Sequence, residues 1–510
     1  MKTHFTFLIG LLLSFISYSQ SSSFIQWQKT YGGTADDYAN DICQTSDGGY
    51  LVAGMTGSND GDITGNHGEY DCWVAKTNST GTIQWKKTLG GSSMDDIKSV
   101  QQTLDGGYIL AGSTNSSDGD ITSNHGGYDC WVVKLNSTGT ILWQKTFGGT
   151  GWESVQSIQQ TSDGGYVFAG YSGSVDRDVT TAYMGTNYWV VKLDSSGTIQ
   201  WQKTLGGNGQ DYAWSIQQTT DGGYIVAGES NSTDGDITAN AGNYDGWVVK
   251  LNASGIIQWQ RTLGTNYIDN ISCIRQTSDE GYMLLLNSNN NVYFEKLDKN
   301  GIPQWYEIAG GSSYDHSYDM QQTVDGGYIV VGVTSSTDGD LSGNHGGNDY
   351  LVVKFNAGGA LLWQKAMGGT GEDKAFAIQS TSDGGCIVAG MSNSTNGDVT
   401  GNHGDYDYWI VKLSSAPLAT NDFLQENSFI IHPNPVSNTA TISFTLLQAE
   451  NVLVKIFDLN GRLVLTLDDN FFEAGKNNLN WNSNTLNTGI YILQFKAGKN
   501  MQTKKLIVMK

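Results

Sequence analysis

The 510-residue chain is predicted to be all-β, a seven-bladed β-propeller followed by a small Ig-like β-sandwich. The first observation is a ladder of tryptophans. Trp27, Trp85, Trp143, Trp201 and Trp259 fall 58 residues apart, the step to Trp305 is 46, and the step to Trp363 is 58 again. A period in this range marks repeat units that share one core. The second is that each copy holds four short strand-like runs separated by turn signals. In the second copy these are residues 100–103, 107–113, 128–135 and 140–146, with Leu104-Asp105-Gly106 and Asn136-Ser137-Thr138-Gly139 as the hairpin turns. The third is composition: 66 Gly against 4 Pro, with abundant aromatics, suits many tight turns that need positive φ.

Four antiparallel strands per unit make a propeller blade, whereas the coils of a parallel β-helix are shorter and do not need these hairpins. The motifs W-Q-K-T, I-Q-Q-T, G-G-Y-I-V and W-V-V-K-L, with their variants, each occur seven times. The repeat region, 24–413, opens on the first motif and closes on the last, at residues 409–413. The first strand is therefore expected to complete the last blade, a one-plus-three closure that leaves no sheet edge open. The D-G-G and N-S-T-G turns fall on one face. Long polar connections such as 115–127 fall on the other, where binding is expected.

Asp194-Ser195-Ser196-Gly197 leading to Trp201 resembles the repeat of quinoprotein-like seven-bladed propellers. The resemblance implies that the Trp docks each blade on its neighbour. It implies no bound quinone.

Residues 1–19 read as a signal peptide: Lys2 and His4 precede an apolar run, and Ser17 and Ser19 offer a small-x-small cleavage site. That run is too short to span a membrane, and no later segment approaches 18 apolar residues, so no transmembrane segment is expected. A net charge of −22 leaves no basic stripe for nucleic acid or an anionic membrane surface. Cys43, Cys72, Cys130, Cys273 and Cys386 are expected to be buried free thiols, since Cys72 and Cys130 share one repeat position on neighbouring units.

Two constellations are candidates for chemistry. Ten residues after each ladder Trp stands an acid: Asp37, Asp95, Glu153, Asp211, Asp269, Asp315 and Asp373. These begin the innermost strand, where they either ring the channel mouth or cap loop N–H groups, as Asp does well. The second is S-x-D-G-D-I-T-x-N-H-G-G-x-D, in which Asp60 and Asp62, Asp118 and Asp120, and Asp338 and Asp340 are candidate calcium ligands. Closely spaced Asp on a Gly-bearing loop suits a hard cation, although the same residues are ordinary turn chemistry. The fourth copy carries Asn396 and Asp398. The loop histidines His67, His125, His345 and His403 sit on separate blades, too far apart for one zinc site.

The repeat decays between blades three and five. Arg177, Tyr183 and Met184 replace the loop motif in blade three, and residues 287–291 replace the whole loop in blade five. Tyr306, Glu307 and His316 are assigned to blade six. A unique site would break the symmetry in this sector. No Ser-His-Asp, Cys-His, phosphate-loop or zinc-hydrolase motif is present.

Residues 414–428 read as a linker, and 429–510 carry six short alternating runs of a β-sandwich. Pro433-Asn434-Pro435, Asn460-Gly461-Arg462, the run 488–492 with Gly489 and Tyr491, and the terminal run from Lys504-Lys505 resemble the type A sorting domain of the Bacteroidetes type IX secretion system. That resemblance implies a partner in the secretion machinery, export across the outer membrane, removal of the domain and, in many cases, attachment to the surface. The expected protein is a secreted or surface-held monomer that binds a glycan or a protein on its long-loop face, with calcium as the only cofactor considered. The alternative is a propeller-type carbohydrate-active hydrolase or lyase, disfavoured by the lack of a unique acid/base pair outside the repeat positions.

Overall fold

The computed structural model describes residues 24–180, 183–414 and 429–510, the last without 435, 447–448, 459–461, 474 and 498–499. The expected signal peptide, residues 1–19, and nearly all of the expected linker lie outside these residues. Two compact units separate near residue 418.

The first unit is seven four-stranded antiparallel sheets. Blade one runs Asp37–Gln44, Tyr50–Thr56, Asp71–Thr77 and Ile83–Leu89, paired in chain order. Blade seven takes Asp373–Ser380, Cys386–Ser392 and Asp407–Leu413, then pairs Asp407–Leu413 with Ile25–Tyr31, Thr30 opposite Trp409. The expected one-plus-three closure is present. The first strand of each blade is innermost and touches the first strands of both neighbours around the ring.

Burial follows the motifs. The second and third strands lie between adjacent blades and are buried almost throughout, so they read as continuous apolar runs such as Y-I-L-A-G and W-V-V-K-L. The outermost strand has one wet face and keeps its Gln and Lys there. The Lys of W-V-V-K-L is the exception inside. In every blade it is buried and reaches the Asp of the D-G-G turn, from Lys76–Asp47 to Lys412–Asp383, at 2.9–3.0 Å. All five cysteines are buried and free.

The ladder tryptophans dock blade on blade. Trp85 packs against Tyr108 of the next blade, ring centroids 5.9 Å apart, and lies against that blade's turn at Gly139. Gly139 has φ +77°, and a Cβ there would stand 2.8 Å from the Trp85 ring. Gly106 has the same conformation over open space. Gly106→Ala is therefore expected to cost only the left-handed strain, about 1–2 kcal/mol. Gly139→Ala is expected to cost distinctly more because it also displaces Trp85. Paired thermal melts of the two variants check this, and equal losses would refute the docking role.

Blade five carries the short stride. Tyr282–Ser288 runs into Asn291–Leu297 through Asn289 and Asn290 alone, both at positive φ. A two-residue turn of this kind favours Asn. Every other blade has a fourteen-residue connection there, such as 57–70, which accounts for the whole difference in stride. Tyr306 and Glu307 belong to the outermost strand of blade five, Pro303–Ala309, and not to blade six.

The second unit is a β-sandwich. One sheet holds Phe429–His432, Thr439–Leu446 and Gly475–Asn482, and the other Leu463–Phe472, Glu450–Phe457, Gly489–Ala497 and Asn500–Val508. Its core includes Phe429, Phe444, Val454, Leu493 and Phe495. The strand Phe429–His432 was not among the six expected runs.

Candidate functional site

The seven repeated acids stand at the head of the innermost strands, as expected, but their side chains are buried and do not form an open ring at the channel mouth. Asp95 accepts the Gly91 N–H at 2.7 Å and the Ser116 hydroxyl at 2.7 Å. Asp37, Glu153, Asp211, Asp315 and Asp373 hold the equivalent glycine N–H, and Asp269 holds that of Thr265. Of the two alternatives open from sequence, loop capping describes this geometry.

The loop motif is also put to structural use. Asp60 accepts the Thr34 N–H and hydroxyl at 2.8 and 2.9 Å; Asp118 accepts the Ser92 N–H and Asp338 the Ser312 N–H. The N–H groups of Asp62, Asp120 and Asp340 donate to Gly32, Gly90 and Gly310 carbonyls. The following Ile63, Ile121 and Leu341 anchor each loop in the core. His67, His125, His345 and His403 each bond the Asp four residues on. The Asp60, Asp118 and Asp338 carboxylates proposed for calcium are thus committed to loop donors, whereas Asp62, Asp120 and Asp340 are fixed by their backbone N–H groups, and among the described residues no three His, Cys, Asp or Glu side chains come together as a cation site.

Non-repeated chemistry lies in the channel. In every blade the innermost strand bulges at its fourth residue, which has no partner in the second strand. A bulge re-aims its side chain and is a recurrent device beside functional sites. Here the seven bulge residues, Asn40, Lys98, Gln156, Trp214, Ser272, Tyr318 and Phe376, all line one cavity of about 610 Å³. No two are the same residue type. Tyr38, Asn270, His316, Met55 and Met391 complete the lining.

The cup is aromatic on two sides. Tyr212 stacks on Trp214, centroids 6.1 Å apart, and Tyr318 sits between His316 at 4.6 Å and Phe376 at 5.1 Å. Burial pushes the His316 imidazole down to about 4 and the nearby Glu229 carboxyl up to about 7. Lys98 is tied to Asp96 at 2.9 Å. Deeper in the channel Arg275 donates to Asp319 at 2.9 Å and to Ser215 at 3.1 Å, and burial raises Asp41 to about 7.

Where blade five lacks its loop, a second cavity of about 430 Å³ opens on the long-loop face. Asn243, Asn266, Tyr267, Ile268 and Asn287–Asn290 line it, and Asn270 and His316 line both cavities. Notch and cup therefore share one wall. The sequence pointed to the notch through residues 287–291 and His316 but missed the cup. Only a trace of it is in the sequence: along this strand the fourth column reads N, K, Q, W, S, Y, F, but the second column, Y, D, S, Y, N, H, K, varies almost as much.

In the second unit Asn434 bonds the terminal strand, donating to the Lys505 carbonyl at 2.9 Å and accepting the Ile507 N–H at 2.8 Å. The Tyr491 hydroxyl donates to Asn487, Gly489 opens its strand, and Pro433 follows a cis bond. Lys504 lies over the Phe429 ring, and Lys505 is exposed. Pro435 and Gly461 fall outside the described residues.

Residues 430–509 match the family model described as the secretion system C-terminal sorting domain. The tail is a sorting domain. The chain is accordingly a type IX secretion cargo, sent to the cell surface or the extracellular space. Among the described residues no helix is long and apolar enough to cross a membrane. The chain is also 26% identical over 182 residues to the regulatory protein FlaEY of Caulobacter vibrioides, covering 33% of this chain and 19% of that protein. It thus spans about a fifth of the curated relative it matches.

Similar solved structures include PorZ, a surface component of the type-IX secretion system of Porphyromonas gingivalis (11% identity, 94% of this chain and 60% of that one, TM-score 0.40). Others are Sqt1 from Chaetomium thermophilum (11%, 76% and 98%, TM-score 0.41) and a puromycin hydrolase (8%, 81% and 59%, TM-score 0.45).

Proposed function

We propose that the exported propeller is a binding module of the cell surface or its surroundings, whose glycan or protein ligand seats in the cup and the adjoining notch. The observation that carries this is the contrast between frame and lining. Loop clamps, Lys–Asp clips and Trp docking recur from blade to blade, while the seven bulge residues that face the cup all differ. A rigid scaffold with a varied, largely uncharged, aromatic lining has the character of a ligand site. Binding is favoured over hydrolysis because the cup lining includes no carboxyl group, and Asp315 in the notch is already bonded to Gly311, Thr334 and Ser336.

The test is retention of the exported protein on immobilised extracellular glycans and proteins, with Trp214→Ala as the variant and mass spectrometry of whatever is bound. Trp214→Ala is expected to weaken retention about tenfold or more, as removal of a central aromatic anchor does, with an unchanged melt and a chemically unaltered ligand. Cleaved products would establish an enzyme. Undiminished retention by the variant would move the site off the cup.

A further inference from the structure

Resting on that reading, we infer that the ligand is a neutral saccharide, gripped between aromatic faces and asparagine amides, with Asn270 the residue that joins the two cavities. Charge is the first discriminator. Lys98, the only Lys or Arg side chain lining the two cavities, is neutralised by Asp96 at 2.9 Å. The Asp315 carboxylate is enclosed by Gly311, Thr334 and Ser336. His316 is held neutral by burial. A phosphate or uronate group would lose hydration here and gain no free counter-charge, which is unfavourable.

The donor and acceptor chemistry is the second. The notch wall is an asparagine cluster between Tyr267 and Tyr314, which are 56% and 41% exposed. A side-chain amide offers a carbonyl acceptor beside two N–H donors. That pairing answers neighbouring hydroxyl groups, each of which both donates and accepts. Aromatic faces such as Trp214 and Phe376 meanwhile cover the C–H faces of a sugar ring, burying apolar surface without demanding charge. The two cavities fall in the usual size range of small-ligand sites, about 300–1,000 Å³.

Asn270 is set in place. Buried Asn287 donates from Nδ2 to the Asn270 Oδ1 at 3.0 Å and is itself fixed by the Ser317 carbonyl at 3.1 Å and the Ser317 N–H at 2.8 Å. With its oxygen occupied, Asn270 has its amide nitrogen left as a donor at the wall between cup and notch. The absence of the blade-five loop leaves this amide uncovered; in the other blades a fourteen-residue connection stands in that place.

The experiment uses the exported protein and a panel of soluble neutral oligosaccharides (gluco-, manno-, xylo- and galacto-series) beside anionic ones (oligogalacturonate, alginate and hyaluronan fragments). Binding is measured by calorimetry between roughly 0.05 and 0.5 M NaCl, a range over which charge attraction is strongly screened. The expected result is a neutral ligand whose affinity changes less than about twofold with salt. Asn270→Asp, which keeps the shape and removes the amide donors, is expected to weaken it about tenfold or more at an unchanged melting temperature. Tight, salt-sensitive binding of an anionic saccharide, or retention of proteins only, would overturn the neutral-saccharide inference and leave the binding module standing. A neutral ligand bound equally by Asn270→Asp would overturn the role of Asn270. No retention of any ligand class would overturn both readings.

Discussion

Trp131→Ala is expected to destabilise the propeller by about 3–5 kcal/mol, the usual cost of emptying a buried Trp site. The side chain is fully buried in the third strand of blade two, and its indole N–H donates to Gln144 at 3.0 Å. It packs in one cluster with Leu51, Val74, Leu110 and Val133 from blades one and two, so the cavity would open between blades. Trp85→Ala, in the ladder that is most conspicuous in the sequence, is expected to cost less. Trp85 lies at the rim of the same cluster and is only partly buried. Urea midpoints of both variants against the parent check the order. A larger loss at Trp85 would show that its docking on the next blade, and not the buried third strand, dominates the stability of the ring.

The melting temperature is expected to peak on the acid side, near about pH 5, and to fall towards pH 8. Burial raises Asp37 and Asp349 to about 6 and Asp41 and Glu229 to about 7. A carboxyl raised in the fold contributes stability that is complete below its unfolded value, near 4, and is lost as pH rises through the folded value. For Asp349 alone the loss by pH 8 is on the order of 2–3 kcal/mol. The turn acids work the other way. Burial opposes them, but the Thr45 hydroxyl, Lys76 and the Gly49 N–H together hold Asp47 down at about 2. Asp105, Asp163, Asp221, Asp279, Asp325 and Asp383 are held there in the same manner. Their stabilisation is present above about pH 4 and lost as pH falls through about 2. Asp349→Asn is expected to flatten the alkaline fall, because Asn already occupies the matching position at Asn187 and Asn291. A melting temperature that rises steadily from pH 5 to pH 8 would contradict this assignment of the buried carboxyls.

The architecture was legible because it rests on periodicity. Seven copies of four motifs, with the W-Q-K-T strand first and the W-I-V-K-L strand last, admit one closure, and Thr30 opposite Trp409 is that closure. Missing residues also leave a trace: the 46-residue stride located the Asn289–Asn290 turn and, with it, the notch. The acids were less legible. Asp37 and its counterparts look the same in sequence whether they face a channel or a loop N–H, because strand position sets the level of a side chain and not the direction it takes. The same holds for Asp60 and Asp62, where Asp-Gly spacing fits both a cation and the Thr34 N–H that Asp60 accepts. Tyr306 reads from sequence as blade six but stands in blade five, because the outermost strand of one unit and the innermost of the next are contiguous in the chain.

The sequence by itself determined the repeat, the number of blades, the ring closure and the sorting tail, since each depends on local pattern and order along the chain. Only the tertiary structure decided where the chemistry lies. One bulge per blade turns Asn40, Lys98, Gln156, Trp214, Ser272, Tyr318 and Phe376 towards a common axis. Residues 46 or 58 positions apart become neighbours when the ring closes, and that proximity is a property of the closed ring.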